Sequence, residues 1–133
     1  MDDILINVPE EQITKILTIA KRCYLMRSMP KQQLPLRCFM YHEKSGGVIA
    51  EFTCDDIDYE FVDRISKEWL KDTMVSVEDA KKLANGYHML FKWRIRSLIL
   101  YTEPRPLARY GLKEPPKEWC IVQQRERVPM DQL

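Results

Sequence analysis

Residues 16–35, ILTIAKRCYLMRSMPKQQLP, form the stretch around which the rest of the chain is organised. Apolar residues recur at helical spacing up to Ala20, and an alternating, strand-like pattern follows from Cys23 to Met29. Pro30 ends this alternation, so the pattern predicts a helix, a short strand and then a loop. The junction carries four cations within eleven residues: Lys21, Arg22, Arg27 and Lys31. Because loops and element ends carry recognition groups, we expect a ligand site here.

Length and composition are typical of one ordinary globular domain. The chain has 133 residues, 45% of them hydrophobic and 31% charged, which is enough for a single core. No apolar run approaches the roughly 20 residues that a membrane-spanning helix needs, and residues 1–5 do not form a secretory signal. We therefore expect a cytoplasmic protein without a membrane partner. Residues 1–122 are predicted to be a single domain, and residues 123–133 a flexible C-terminal tail.

Overall charge and the cysteine pattern exclude several kinds of site. There are 21 Lys and Arg against 20 Asp and Glu, a net charge of +1, so a nucleic-acid partner must be argued from local clusters. The four cysteines form no Cys-x-x-Cys pair and only His42 and His88 accompany them, so neither a metal site nor another cofactor is predicted. Cys23 is interpreted as a core residue.

The first half of the chain reads as strands around one helix. Residues 4–6 predict a buried strand, residues 9–20 a helix that begins at Pro9, and residues 22–27 a second strand. Two further strands, 36–41 and 48–54, are separated by a Ser-Gly-Gly turn and predict a hairpin. Glu51 in the second of them is expected to pair across the sheet with Lys92 or Arg94.

The second half predicts helices followed by one long strand. Apolar residues at helical spacing predict a helix over residues 60–71, and a capping sequence at Ser76 predicts another over 77–84. Residues 87–101 alternate as one extended strand. Trp93 is expected to face the core, while a basic cluster lies on the other face: Lys92, Arg94 and Arg96. A turn of helix at 106–110 and a last strand, Trp119–Val122, complete the prediction.

These elements together predict an α+β fold. Five to six short strands with helices inserted between them, and an aromatic closing segment, favour a small mixed β-barrel, closed or half-closed.

Several motifs resemble those of the ASCH domain, a branch of the PUA-like superfamily. The most specific are the loop Met29, Pro30 and Lys31, the strand segment 47–52 with its Ala-Glu-Phe ending, and residues 115–119. The resemblance spans about residues 4–122 and is greatest to the version found in phages and prophages. It implies a PUA-like β-barrel whose cleft binds RNA or modified nucleosides.

The motif strand of that family departs from its usual form in this chain. The family pattern is Lys-Thr-x-Glu-x-Arg, and the corresponding residues are 21–26, in which only Lys21 matches. Tyr24 stands at the glutamate or threonine position and Met26 at the arginine position. Methionine offers no donor to a phosphate, whereas arginine offers a planar fork of donors. The family's Ser-x-Lys on the first strand is likewise replaced, by Ile6, Asn7 and Val8.

Three functions remain open at this point. The favoured one is a non-catalytic RNA- or nucleotide-binding protein, and its predicted site residues supply cations for phosphate and a ring for stacking: Lys21, Arg22, Tyr24, Arg27 and Lys31. The second is a protein-interaction or inhibitor protein that binds a host protein through an acidic segment, residues 51–63. The third is an amidohydrolase that acts on N4-acetylcytidine, as one ASCH subfamily does, with Lys21 and Asp72 in its site. We predict no catalytic residue, because Tyr24 and Met26 occupy the motif positions.

Overall fold

Eight strands and two helices make up the described part of the chain. A computed structural model of the protein describes residues 3–18 and 22–122. The α-helices are α1, Glu10–Thr18, and α2, Val77–Ala84. The strands are β1 Asp3–Asn7, β2 Cys23–Met26, β3 Leu36–His42, β4 Gly47–Cys54, β5 Ile57–Phe61, β6 Met89–Arg94, β7 Arg96–Arg105 and β8 Trp119–Val122. Two single turns of 3-10 helix, Val62–Arg64 and Leu107–Tyr110, follow β5 and β7.

The strands form two sheets. The larger has five strands in the order β7-β4-β3-β1-β8, and the smaller has three in the order β2-β6-β5. Only β1 and β3 run parallel to each other; the other neighbouring strands that the structure describes are antiparallel. The predicted α+β class is confirmed. The predicted barrel of five to six strands is corrected, because the described residues form eight strands in two sheets and no closed barrel.

The long strand predicted over residues 87–101 is divided into β6 and β7. The backbone N–H of Ile95 donates to the carbonyl of Arg22 at 2.8 Å, so pairing with the segment before β2 continues to this residue. Ser97 then adopts a left-handed backbone conformation with φ of 54°, and the chain continues in the large sheet. Alternation of residue types does not reveal such a bend, since the residues on both sides of it remain extended.

The helix predicted over residues 60–71 is wrong. Phe61 ends β5 and lies opposite Met89 of β6, so its backbone belongs to the small sheet. The apolar residues that produced the helical spacing belong to one hydrophobic cluster, apart from Phe61. Ile65 and Leu70 pack in irregular turns against α2, whereas Phe61 remains exposed. Pairing with β6 therefore overrides the local pattern.

The remaining elements agree with the sequence predictions. Helix α1 begins after Pro9 as expected, while residues 19–21, including Lys21, lie outside the described part, as do residues 123–133. The N-terminus of α2 is capped by the Ser76 hydroxyl, which accepts from the Asp79 N–H at 3.0 Å. Asn85, in the left-handed conformation, ends this helix.

Trp93 lies where the two sheets pack together. Its side chain is 0% exposed, which confirms the predicted core position. Around it lie residues of both sheets and of α1: Tyr24, Met26, Ile4, Ile6, Met40, Phe52, Ile13 and Ile16. The opposite face of the small sheet is covered over part of its length by α2, through Leu25, Leu90 and Ala80. The rest of that face is open.

Glu51 is paired across the sheet, but with Arg37 rather than with Lys92 or Arg94. Arg37 Nε donates to Glu51 Oε2 at 2.9 Å and its Nη2 donates to Oε1 at 3.1 Å. The Tyr101 hydroxyl also donates to Oε1, at 2.6 Å. Lys92 and Arg94 belong to the small sheet, whereas Glu51 belongs to the large one, so strand order rather than charge decides the partner.

Replacing Glu51 by glutamine is expected to lower the free energy of unfolding by about 2 kcal/mol at neutral pH, because two charge-assisted hydrogen bonds lose their anion. Burial raises the pKa of Glu51, but the hydrogen bonds from Arg37 and Tyr101 outweigh it, so the pKa lies below its ordinary value. A depressed pKa stabilises the fold above the unfolded-state value of about 4.3, and this contribution is lost as the pH falls through the folded-state value. Urea unfolding should therefore show a difference between wild type and variant that shrinks below about pH 4.

A suitable control for this measurement is Glu68→Gln, because Glu68 is exposed. Its unfolding free energy should stay within about 0.5 kcal/mol of wild type at each pH. Equal effects of the two substitutions would contradict a specific role for the Glu51 pair.

Candidate functional site

A polar pocket of about 700 Å³ opens on the uncovered part of the small sheet. We call it the β2–β6 pocket. It is lined by Arg22, Cys23, Asp56, Asp58, Asp72, Lys92, Arg94, Ile95, Arg96 and Ser97. Arg22 directly precedes β2. Five of the other lining residues come from β6, from the start of β7 and from Ile95 between them. One described cation of the first basic cluster, Arg22, therefore meets the second cluster in this pocket.

Strand register explains why these side chains share a face. Cys23 lies opposite Arg94, and Lys92 lies opposite both Leu25 on one side and Asp58 on the other. Directly opposite residues of antiparallel strands point to the same face, so Cys23, Arg94, Lys92 and Asp58 project together. Further along the face, Leu25 and Leu90 are covered by α2. The pocket is what remains open beyond that cover.

The cations of the pocket differ in how firmly they are held. Arg96 Nε lies 3.2 Å from a carboxylate oxygen of Asp55, and Arg94 Nε lies 3.9 Å from the other oxygen. All three side chains are exposed, so these pairs are weak and exchange readily for another anion. Lys92 is fixed more firmly, because its Nζ donates to the Trp69 carbonyl at 2.8 Å and lies 4.7 Å from the centre of the Trp69 ring.

Carboxylates occupy part of the same pocket. The carbonyl of Asp72 accepts from the Cys23 N–H at 3.0 Å, which places Asp72 beside the start of β2. Asp58 accepts from the Trp69 indole N–H at 3.1 Å. In the sequence, Asp56 and Asp58 form part of the acidic segment interpreted as a partner surface. The structure instead places them among the arginines.

Cys23 lines the pocket and is half-buried rather than a core residue, which corrects the sequence interpretation. Burial raises the pKa of its thiol, and Asp72 raises it further, while Lys92 and Arg94 lower it. The net effect keeps the thiol protonated at neutral pH. Since the thiolate is the reactive form, Cys23 is a poor nucleophile.

Three of the five predicted site residues, Arg27, Lys31 and Tyr24, lie away from the pocket. Arg27 forms an ion pair with Glu118, and its guanidinium carbon lies 4.7 Å from the centre of the Tyr87 ring. The Glu118 hydrogen bond raises the pKa of Arg27. Lys31 is exposed in the loop before β3 and does not line the pocket. Of the predicted residues that the structure describes, Arg22 is the one that lines it.

Tyr24 belongs to the core between the sheets. It is 7% exposed, lies opposite Trp93, and points away from the β2–β6 pocket. Burial raises the pKa of its phenol well above the ordinary value. This placement leaves little of its ring for stacking on a base. Met26 is buried on the same face.

The described part of the chain holds neither a metal-binding group of side chains nor a helix that could span a membrane. Among residues 3–18 and 22–122, no group of three or more His, Cys, Asp or Glu side chains is arranged to hold a metal ion. Neither of the two helices in this part of the chain is long and apolar enough to cross a membrane.

Comparison with solved structures identifies the fold. A crystal structure of a serine-to-alanine variant of ZmASCH from Zymomonas mobilis superposes with a TM-score of 0.79 at 15% sequence identity, over 98% of this chain and 94% of that one. A tyrosine-to-phenylalanine variant of ZmASCH gives 0.75 at 16% identity, over 100% and 99% of the two chains. The ASCH structure without a substitution gives 0.74 at 16% identity, over 98% and 94%. The expected ASCH fold is thereby confirmed. No family model matches the sequence and no curated protein matches it.

Proposed function

We propose that the protein binds single-stranded RNA or a nucleotide in the β2–β6 pocket, without chemical conversion of the ligand. One observation carries this proposal. Arg22 from the start of β2 and Arg94 and Arg96 from the β6–β7 bend line the same pocket, although they are far apart in the sequence. Three guanidinium groups around one opening are suited to phosphate oxygens, which they bind in bidentate fashion.

The size and mixed charge of the pocket favour a nucleotide over a bare anion. Its volume of about 700 Å³ lies within the range of small-molecule sites. Asp56 and Asp58 offer acceptors for sugar hydroxyls or for amino groups on a base. Phosphate is thus expected at the arginines, and the nucleoside at the carboxylates.

The proposed site retains part of the set predicted from the sequence. Arg22 keeps its role, and Lys21 precedes it directly in the chain. Arg94, Arg96 and Lys92 are added, because the structure brings them beside Arg22. Arg27, Lys31 and Tyr24 are not assigned to phosphate or base contact in this pocket.

The amidohydrolase alternative gains no nucleophile from Cys23. This residue lies near Asp72, but burial raises the pKa of its thiol, so it is a poor nucleophile. Lys21, the other residue of this hypothesis, lies outside the described residues. The interaction-protein alternative loses part of its support as well. Asp55 pairs with arginines and Asp56 and Asp58 line the pocket, so these carboxylates do not form a separate acidic surface.

The double variant Arg94→Ala/Arg96→Ala tests the proposal. Each lost charge-assisted contact weakens binding by about tenfold, so the variant should bind about 100-fold less tightly than wild type. The measurement is fluorescence anisotropy with a labelled pool of short single-stranded RNA at about 50 mM salt, where phosphate contacts are strongest.

The matched control is Lys44→Ala/Lys113→Ala, which removes two exposed cations that do not line the pocket. It should change the affinity less than about threefold, the effect of net charge alone. Equal losses in both double variants would mean that binding is non-specific. No binding by the wild type would end the proposal.

A further inference from the structure

Three aromatic side chains are exposed on the edge strand β5 and in the loop before β6. Tyr59 is 55% exposed, Phe61 45% and Tyr87 51%. Tyr59 and Phe61 lie two residues apart on the edge strand β5 and so share one face. Exposed rings clustered in this way are typical of binding surfaces.

Phe61 and Tyr87 stand on either side of a groove of about 600 Å³. Its lining also includes Lys81, His88 and one carboxylate, Asp63. Each ring is backed by a guanidinium group. Arg27 lies 4.7 Å from the centre of the Tyr87 ring, and Arg64 lies 5.9 Å from that of Phe61. Arg27 is itself held by its ion pair with Glu118, so the position of the Tyr87 ring is supported from behind.

We propose that this groove is a second subsite that stacks an unpaired base of the RNA strand whose phosphates occupy the β2–β6 pocket. The inference rests on the proposed function. Aromatic rings accept any base, and neighbouring cations favour a polyanionic strand. Arg64 and Lys81 outnumber Asp63 around the groove, while Arg27 is neutralised by its ion pair with Glu118, so the groove carries a small positive excess.

The spacing of the two sites sets the length of strand that reaches both. Strand β6 runs from one to the other, with His88 just before it at the groove and Arg94 at the pocket. Because α2 covers Leu25 and Leu90 between the two sites, the RNA strand has to pass beside α2. Six residues of extended chain span roughly 20 Å. That is about six nucleotides at a stacked rise of about 3.4 Å. A dinucleotide therefore occupies one site, whereas an octanucleotide reaches both and gains affinity from the linkage.

The experiment compares a labelled diuridylate and a labelled octauridylate on wild type and on Phe61→Ala/Tyr87→Ala. The wild type should bind the longer strand at least about tenfold more tightly. The variant should bind the dinucleotide as wild type does and lose most of that length-dependent gain. Tyr87→Ala alone, in an exposed loop position, gives the same test with less risk to folding.

The control is Ile99→Ala/Ile121→Ala, which removes exposed apolar side chains from the large sheet. It should keep the full gain. The subsite is overturned if the wild type binds octauridylate no more tightly than diuridylate. It is also overturned if the aromatic variants still bind octauridylate more tightly, and that result would point to a protein-docking surface instead. Failure of the proposed function can be told apart from failure of the subsite, because the wild type would then not bind even the dinucleotide.

Discussion

Replacing Trp93 by alanine is expected to lower the free energy of unfolding by about 4 kcal/mol, the largest effect of any single substitution considered. The side chain is fully buried where the two sheets meet, 6.0 Å from the Trp119 ring between centres. Its indole N–H donates to the Ser28 carbonyl at 3.2 Å. Alanine would leave a cavity in contact with both sheets and an unpaired carbonyl. Urea unfolding followed by far-UV circular dichroism measures the loss.

The variant Trp93→Phe separates the two contributions. Phenylalanine keeps an aromatic ring but cannot donate to Ser28, so we expect a loss of about 1–2 kcal/mol. The same order of effects should appear in the thermal midpoint. A loss below about 1.5 kcal/mol for Trp93→Ala would mean that the sheets do not depend on this contact.

Charge reversal at Arg22 is expected to weaken RNA binding by more than about 100-fold. The variant Arg22→Glu removes one phosphate contact and adds a negative charge next to Asp72 in the same pocket. Since Arg22 is exposed, the free energy of unfolding should change by no more than about 0.5 kcal/mol. The substitution should therefore weaken RNA binding without lowering the stability of the fold. Anisotropy and urea unfolding on the same preparation measure both.

Asp72→Asn changes the charge of the same pocket in the opposite direction to Arg22→Glu. It keeps the size of the side chain and removes one negative charge from the pocket, so RNA affinity should rise by a few-fold. Reduced affinity would show that the Asp72 carboxylate accepts a hydrogen bond from the ligand. If neither Arg22→Glu nor Asp72→Asn changes binding, the pocket is not the site.

Much of the fold was predictable because its signals are local. The Ser-Gly-Gly turn between β3 and β4 and the Ser76 cap of α2 depend on residues close in sequence. Two of the errors, the helix over residues 60–71 and the undivided long strand, arose where distant pairing decides the structure. Strand β5 forms because it lies beside β6. The long strand divides at the bend at Ser97, beyond which the chain pairs with β4 of the large sheet. Neither contact leaves a local pattern.

The candidate site was predictable only in part for the same reason. Arg22 was predicted as a site residue because several other cations lie close to it in the sequence. Lys92, Arg94 and Arg96 formed a visible basic cluster, but its meeting with Arg22 depends on the pairing of β2 with β6. Tyr24 was expected to stack on a base, yet its strand face is the one that packs on the large sheet. The sequence pattern assigned Phe61 to a helix and Tyr87 to a core-facing strand. The exposure of both rings was therefore not predicted.

The salt dependence of RNA binding reports directly on phosphate contacts in the β2–β6 pocket. Binding constants of the wild type and of Arg94→Ala/Arg96→Ala are measured with one single-stranded RNA across a series of salt concentrations. Three phosphate contacts predict a slope of about −2 for the logarithm of the binding constant against that of salt, and one remaining contact about −0.7. A slope near zero, or the same slope in both proteins, would contradict phosphate binding by the arginines of the β2–β6 pocket.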